Sequence, residues 1–161
     1  MDKIISESEN LYYDERSAGG IVYKKEGDKL LFLLIKTFAN KRHKTIFKFP
    51  KGHIKEGEVL KQTATREVEE EGRIKSKVIT KVGSNDYVIW DKLKKKKIIK
   101  KVTFFLMEYV GESNLKYYDS EVVLDRVWVS YEEALHKIAF ESEKLLLKKV
   151  AGRMGIKSPA R

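Results

Sequence analysis

Three glutamates in one segment of the chain have the types and spacing that could bind a metal ion. Glu67, Glu70 and Glu71 lie among good helix formers between residues 58 and 72. On a helix they fall within roughly 100° of one another. Like charges at this spacing repel, and an ionised carboxylate that loses its water is costly unless a positive charge compensates it. A divalent cation that prefers oxygen ligands, such as magnesium, would supply that charge and would also hold substrate phosphates.

A helix predicted to begin at Glu58 and to end near Gly72 must position these carboxylates. Its start carries acidic residues, which the positive end of a helix dipole favours. Glu67 and Glu71 lie beside an apolar stripe of fourfold spacing, formed by Leu60, Ala64 and Val68. The acidic group is therefore predicted at the edge of the core.

The elements around this helix are predicted to form a mixed sheet packed between helices. Strands are predicted at residues 17–25, 29–36, 46–49, 75–90, 98–110 and 126–130, and further helices at 131–138 and 141–150. Pro50 ends the third strand because it cannot donate to a ladder, and residues 51–57 are predicted as a loop. We expect an α/β (α+β) fold, an α/β/α sandwich with a mixed central sheet.

Length and composition indicate one globular domain over residues 1–161. Residues 1–15 are expected to be either a loosely ordered lead-in or an edge strand, and residues 152–161 to be loosely ordered. Cysteine is absent, which excludes disulfides, thiolate nucleophiles and cysteine-ligated metals. The net charge of +10 favours anionic partners such as nucleotides, polyphosphates or nucleic acid. No apolar run is long enough for a signal peptide or a membrane span. We therefore expect a soluble cytoplasmic protein without a membrane partner, and the sequence leaves its oligomeric state open.

The acidic helix belongs to a longer motif. Gly52, five residues, Glu58, seven residues and the run 66–71 resemble the Nudix box, G-x5-E-x7-R-E-U-x-E-E-x-G-U, in which U is a bulky apolar residue. The family's late glycine falls on Arg73, one position after Gly72, while every acidic position is kept. Segments that flank the box resemble the branch of diadenosine tetraphosphate hydrolases and diphosphoinositol polyphosphate phosphohydrolases: residues 17–22, 49–53, 102–107 and 126–129.

The resemblance implies a role for each residue of the box. Glu70 and Glu71 would be metal ligands, and the Gly52 carbonyl would be a third. Glu67 would ligate the metal or act as the general base. Arg66 would pair with the box acids, in particular Glu58, which is structural. The expected cofactor is Mg²⁺, with Mn²⁺ as the alternative, and the sandwich above would be of the Nudix type.

Family members often recruit one more acid from outside the box. The stretch 112–125 contains several acids, and Glu121, just before the last predicted strand, resembles the family position best. A solvated loop carboxylate is the alternative for any single acid of this stretch.

Basic residues near the box are candidates for contacts with substrate phosphates. Lys51 and His53 flank Gly52, and Arg42 and Lys48 precede the same loop. The alternative for all four is a solvated basic surface. Lysines between residues 94 and 101 could steer polyanions towards the site, or simply cover a hairpin surface.

Aromatic residues are candidates for stacking on a nucleobase, with a core position as the alternative for each: Tyr87, Trp90, Phe104 and Tyr131.

The function expected from the resemblance is metal-dependent hydrolysis of a diphosphate linkage in a nucleoside polyphosphate, first of all asymmetric cleavage of diadenosine tetraphosphate to ATP and AMP. Triphosphorylated or capped RNA 5′ ends, inositol pyrophosphates and (d)NTPs remain alternative substrates. A nucleotide- or RNA-binding module without turnover is the alternative of another class.

Overall fold

The computed structural model describes residues 12–39, 44–116 and 122–157. The described elements, in chain order, are β1 (Tyr12–Glu26), β2 (Lys29–Phe38), β3 (Thr45–Lys48), β4 (Lys51–His53), α1 (Leu60–Gly72), β5 (Ile74–Asp91), β6 (Lys96–Glu112), β7 (Val123–Val129), α2 (Tyr131–Lys137) and α3 (Glu141–Met154). β1 thus begins inside the segment predicted as a lead-in or an edge strand, and α3 ends inside the segment predicted to be loosely ordered. None of these helices is both long and apolar enough to cross a membrane.

The strands form one mixed sheet whose main order is β3-β2-β1-β6-β5. β1 and β6 run parallel in the middle, and the other pairs are antiparallel. β7 adds to β2, and β4 adds to β1. The short β4 corrects the prediction of a loop over residues 51–57: Ala18 pairs with Gly52, so backbone hydrogen bonds order a segment that has no strand-like side-chain pattern.

Two apolar clusters lie on the opposite faces of the sheet. One joins the sheet to α1 and contains Ala64 and Val68 together with Phe105 and Met107. The other joins it to α2 and α3 and contains Phe104, Ile138 and Leu147. The predicted α/β/α sandwich with a mixed central sheet is confirmed.

Helix α1 begins two residues later than predicted, because Glu58 and Val59 serve as its cap. The Gln62 side chain accepts a hydrogen bond from Val59 N at 2.9 Å. The Glu58 carboxylate accepts bonds from Lys55 N at 2.9 Å and Thr63 Oγ1 at 3.0 Å. The cap turns the Glu58 side chain back over the first turn of the helix, towards the residues of the box.

The exit of α1 explains why a glycine stands one position before the family's glycine. Arg73 adopts a left-handed conformation with φ of 57° and ψ of 34°, where glycine is the usual residue. Gly72 has a different requirement: a Cβ there would meet Leu33 Cδ2 at 2.8 Å. Close packing against Leu33 of β2 therefore requires the glycine at position 72. The left-handed conformation at the helix end then falls on Arg73.

We predict that Arg73→Gly raises the free energy of unfolding by about 1 kcal/mol, because it removes a left-handed non-glycine residue. Gly72→Ala should lower the same quantity by about 1–3 kcal/mol, because the added methyl overpacks against Leu33. Chemical denaturation of the two variants checks both signs. A loss of stability in Arg73→Gly would show that contacts of the arginine outweigh its backbone strain.

Candidate active site

The site is built where β4 passes across α1. A Cβ at Gly52 would meet Glu67 Cδ at 2.1 Å, so any larger residue would push the Glu67 carboxylate out of its position against the strand. The turn before it is held from the other side, because Gly20 N donates to Pro50 O at 3.1 Å. The first glycine of the motif is therefore needed for contact between backbone and carboxylate.

A cavity of about 400 Å³ opens beside this contact. Acidic side chains of α1 form one wall, and basic and aromatic side chains of β4, β5 and β6 form the other. Its lining residues are Ser17, Lys51, Gly52, His53, Ile54, Lys55, Arg66, Glu67, Glu71, Tyr87, Lys100 and Val102. This distribution suits an anionic ligand. Such a ligand would contact the basic side chains directly, and a bound cation would lie between it and the acidic side chains.

Arg66 is the centre of the acidic wall. Its Nε and Nη2 donate to the two Glu58 oxygens at 2.6 and 3.0 Å, the pairing that the resemblance implied. Its Nη1 donates to Glu67 at 2.7 Å and to Glu70 at 3.3 Å. Nη2 also donates to the His53 carbonyl at 2.9 Å, which ties β4 to the helix. One guanidinium thus holds three carboxylates and one strand in register.

The same guanidinium gives its carboxylate neighbours different proton affinities. Bidentate hydrogen bonding from Arg66 lowers the pKa of Glu58 to about 2, and in return the pKa of Arg66 is raised. Burial raises the pKa of Glu67 despite its hydrogen bond to Arg66. Glu58 therefore stays ionised, while Glu67 holds a proton more readily than an ordinary glutamate, which suits a group that accepts a proton from water.

Glu70 and Glu71 are both buried, with 8% and 1% of their surface exposed. Glu71 accepts a hydrogen bond from Lys51 N at 2.8 Å, a second link between α1 and β4. In the arrangement described, no three acidic or histidine side chains among residues 12–39, 44–116 and 122–157 converge closely enough to hold a metal ion. The donor set nevertheless fits a hard divalent cation, because the buried acids of this wall offer only carboxylate oxygens.

Three of the predicted substrate-binding residues line the cavity: Lys51, His53 and Tyr87. The His53 imidazole contacts the carboxylate of Glu15 of β1, which also lies 3.6 Å from Lys100 Nζ. The Tyr87 hydroxyl lies 3.2 Å from Ser142 Oγ at the start of α3. These contacts hold the ring of Tyr87 and the two basic side chains at the cavity wall.

Two other predicted substrate-binding residues do not line the cavity. Phe104 is 1% exposed and packs edge-to-face on Phe49, with ring centroids 6.1 Å apart, so the core position is correct and base stacking is not. Lys48 is buried with its charge close to Glu143. Arg42 and Glu121 lie outside the described residues, and their roles stay predictions.

Lys100 was predicted only as a steering charge, but it lines the cavity. It pairs with Tyr87 in the register of β5 and β6, so the two side chains share one face of the hairpin. Lys101, which pairs with Asp86, faces the other way. Side chains alternate between the two faces of a strand, so Lys100 shares a face with the buried Val102 and Lys101 does not. This pattern could have distinguished the two lysines in the sequence.

Glu143 of α3 is a second residue that the sequence reading missed. It is 1% exposed, and its Oε1 accepts a hydrogen bond from Phe49 N at 2.9 Å. Burial raises its pKa to about 7, while the Phe49 N–H and the charges of Lys51 and Lys48 oppose the shift. The carboxyl anchors the chain three residues before Gly52. Its spacing to Leu147 and Val150, which places an acid on the buried face of α3, was the available signal.

Comparison with known proteins agrees with this architecture. Residues 14–149 match the family model of the NUDIX domain. Over 135 residues the chain is 35% identical to a Mycobacterium tuberculosis (strain CDC 1551 / Oshkosh) protein that carries the name mutator protein MutT4. The match covers 82% of this chain and 52% of that protein, so the chain spans about half the length of this curated relative.

Solved structures show the same fold. The Ap4A hydrolase of C. elegans is 25% identical with a TM-score of 0.62, over 88% of this chain and 99% of that one. A NUDIX hydrolase from Nitrosomonas europaea is 17% identical with a TM-score of 0.65, over 91% and 93%.

Glu143 is predicted to make stability depend on pH. Its folded-state pKa lies above the ordinary value of 4.5, so its contribution is complete below pH 4.5 and is lost as the pH rises through about 7. The loss amounts to about 3 kcal/mol. Unfolding of the native protein and of Glu143→Gln should therefore differ in its slope against pH between these values. Glu141→Gln, on the exposed side of α3, is the control. Equal slopes in all three proteins would contradict the assignment.

Proposed function

The chain belongs to the NUDIX domain family, and from that premise we propose that it is a metal-dependent hydrolase of a diphosphate linkage in a nucleoside polyphosphate. The observation that carries the proposal is one cavity lined by the acids Glu67 and Glu71 and by the basic residues Lys51 and Lys100. The leading substrate is diadenosine tetraphosphate, cut asymmetrically to ATP and AMP. The likeness to the C. elegans Ap4A hydrolase supports this choice.

Metal binding is assigned to the acidic residues of α1 and to Gly52. Glu70, Glu71 and the Gly52 carbonyl would hold Mg²⁺, or Mn²⁺ as the alternative, and Glu67 would be a further ligand where it does not act as the base. Gly52, Glu67 and Glu71 line the cavity, whereas Glu70 lies beside it in contact with Arg66. The bound ion would neutralise diphosphate oxygens and lower the pKa of a water molecule. Arg66 is a positioning residue in this scheme, because its donors are directed at Glu58, Glu67 and the His53 carbonyl.

Glu67 is the proposed general base. Its raised pKa shows that this carboxylate gains more from a proton than an exposed one does. It touches Gly52, so a water molecule held at this end of the cavity would lie within its reach. Transfer of the proton from that water to a Glu67 oxygen leaves a nucleophile for attack on phosphorus, and no covalent intermediate with the protein is needed.

The basic wall would bind the rest of the substrate. Lys51 and Lys100 would compensate phosphate charge, including the charge that develops on the departing phosphate. Tyr87, 37% exposed at the cavity wall, offers a ring on which a nucleobase stacks. The cavity therefore offers separate sites for the reacting diphosphate and for a base.

Glu70→Gln and Glu71→Gln should each reduce turnover by about 10²–10³ or more, as loss of a charge-stabilising group at a reacting centre does. Glu69→Gln is the matched control, because Glu69 points away from the cavity and accepts a hydrogen bond from Ser113 Oγ at 2.7 Å. Rates measured against magnesium concentration check the pattern. Near-native turnover in both Glu70→Gln and Glu71→Gln would contradict the metal assignment.

Lys100→Gln should raise KM for a nucleoside polyphosphate about tenfold, as expected for one lost charge-assisted contact, whereas Lys101→Gln should leave it near the native value. The two residues are neighbours with the same charge and differ in the face of β6 that they occupy. Steady-state kinetics at two ionic strengths would measure the difference. Equal effects in both variants would mean that the lysines act only as a general positive field.

Product analysis tests the proposed reaction directly. Diadenosine tetraphosphate would be incubated with and without magnesium, beside nucleoside triphosphates, inositol pyrophosphate and triphosphorylated RNA, and the products separated by anion exchange. ATP and AMP formed only with metal are the expected result. Faster turnover of another substrate would replace the leading substrate, and no turnover by folded protein would favour the nucleotide-binding module.

A further inference from the structure

We propose that the outer end of the β5–β6 hairpin, residues 86–97, docks on the surface of an anionic lipid bilayer. Of the residues of this hairpin tip, Tyr87 lines the cavity, and the docking surface is formed by the residues beyond it, 88–97. The proposal goes beyond the proposed function and does not rest on it.

The hairpin tip exposes large apolar side chains on both of its faces. Val88 and Trp90 lie on one face of β5 and are 64% and 53% exposed, and Ile89 lies on the other face and is 45% exposed. Leu93, in the turn at the apex, is 97% exposed. An exposed apolar group of this kind usually marks a surface that contacts a partner or a membrane.

The turn fixes Leu93 at the apex. Asp91 Oδ1 accepts hydrogen bonds from Leu93 N at 3.0 Å and from Lys94 N at 3.2 Å. Lys95 has a positive φ of 51°, which closes the turn before β6 begins. The apex is thus an ordered turn that presents a leucine.

Positive charge surrounds the apolar group. The hairpin tip contains five lysines and two aspartates, and the lysines are Lys92 and residues 94–97. Lys97 pairs with Trp90, and Lys96 pairs with Asp91, so the charges flank the apolar side chains on both faces of the hairpin. Each lysine near an anionic bilayer strengthens binding about fivefold.

A bilayer surface matches this combination better than nucleic acid or a second copy of the chain. Valine, isoleucine and leucine have no ring that stacks on a base, whereas hydrocarbon accepts them, and tryptophan and lysine favour the interface between lipid and water. A second copy docked tip to tip would bring two lysine clusters together. The expectation of no membrane partner rested on the lack of a spanning segment, which surface docking does not need.

End-on docking would hold the catalytic cavity close to the lipid without burying it. Tyr87, at the cavity wall, lies six residues from Leu93 along the hairpin. β5 ends at Asp91, four residues after Tyr87, which at the rise of a β-strand is about 14 Å, and the turn with Leu93 lies beyond that point. The cavity would then open to water above the headgroups.

The two tryptophans provide a matched test on the full chain. Trp90 lies in the hairpin tip, and Trp128 lies on β7, where it packs against Tyr109 and Lys24. Trp128→Phe keeps only the reporter in the tip, and Trp90→Phe keeps only the distant one. Vesicles of phosphatidylcholine and phosphatidylglycerol in equal parts should shift the emission of Trp128→Phe to the blue and leave Trp90→Phe unshifted. Brominated acyl chains should quench only the former.

Co-sedimentation with the same vesicles measures the affinity. Lys92→Gln, Lys95→Gln and Lys96→Gln combined should weaken binding about a hundredfold, and Leu93→Ser about tenfold. Leu145→Ser with Lys148→Gln and Lys149→Gln removes exposed apolar and basic residues from α3 and should leave binding near the native value. Native binding should weaken as salt rises and should be absent with pure phosphatidylcholine vesicles.

Three outcomes would overturn the proposal. The first is no binding of the native protein to anionic vesicles, and the second is equal binding by the tip variants and the α3 control. The third is an emission shift of Trp90 with a single-stranded RNA oligonucleotide, or with self-association seen by sedimentation velocity, but not with vesicles. Circular dichroism spectra and thermal unfolding of each variant check that it is folded.

Discussion

The acidic helix depends on one partly buried cation, the guanidinium of Arg66. Glu58, Glu67 and Glu70 all lie within its hydrogen-bonding reach, beside an apolar stripe that packs on the sheet. Without a positive charge at this point, the carboxylates would repel one another and lose solvation together. Arg66 also donates to the carbonyl of His53, so the charge that makes the acidic helix stable is the charge that fixes β4 across it.

Two further contacts make β4 a rigid part of the site rather than a loop. Glu71 accepts from Lys51 N, and Glu143 accepts from Phe49 N, so carboxylates on two different helices hold the backbone around Pro50. Gly52 allows the closest approach. A short segment without a strand-like pattern is thus ordered by backbone donors and by the absence of a side chain at one position.

Sequence patterns predicted the elements that have periodicity and left out those that do not. Leu60, Ala64 and Val68 identified α1 and its buried face, and the order of strands and helices along the chain predicted the sandwich. β4 could not be predicted because its order comes from long-range hydrogen bonds to β1. Phe104 was considered for stacking because composition does not tell a core ring from a cavity ring. Strand alternation assigns Lys100 to one face of β6, and helical spacing assigns Glu143 to the buried face of α3. Neither pattern tells whether that face borders the cavity, the core or solvent.

The parallel pairing of β1 with β6 has a consequence for how the molecule assembles. Tyr23 and Glu108 are register partners, and their side chains are also joined by a hydrogen bond across 85 residues of sequence. Hairpins such as β1–β2 and β5–β6 close locally, whereas this central pair requires the closure of a loop that includes α1. Contacts of such high sequence separation form slowly during folding. β4 and α1 can pack on β1 before this step, whereas Lys100 and Val102 of β6 reach the cavity only after the long loop closes.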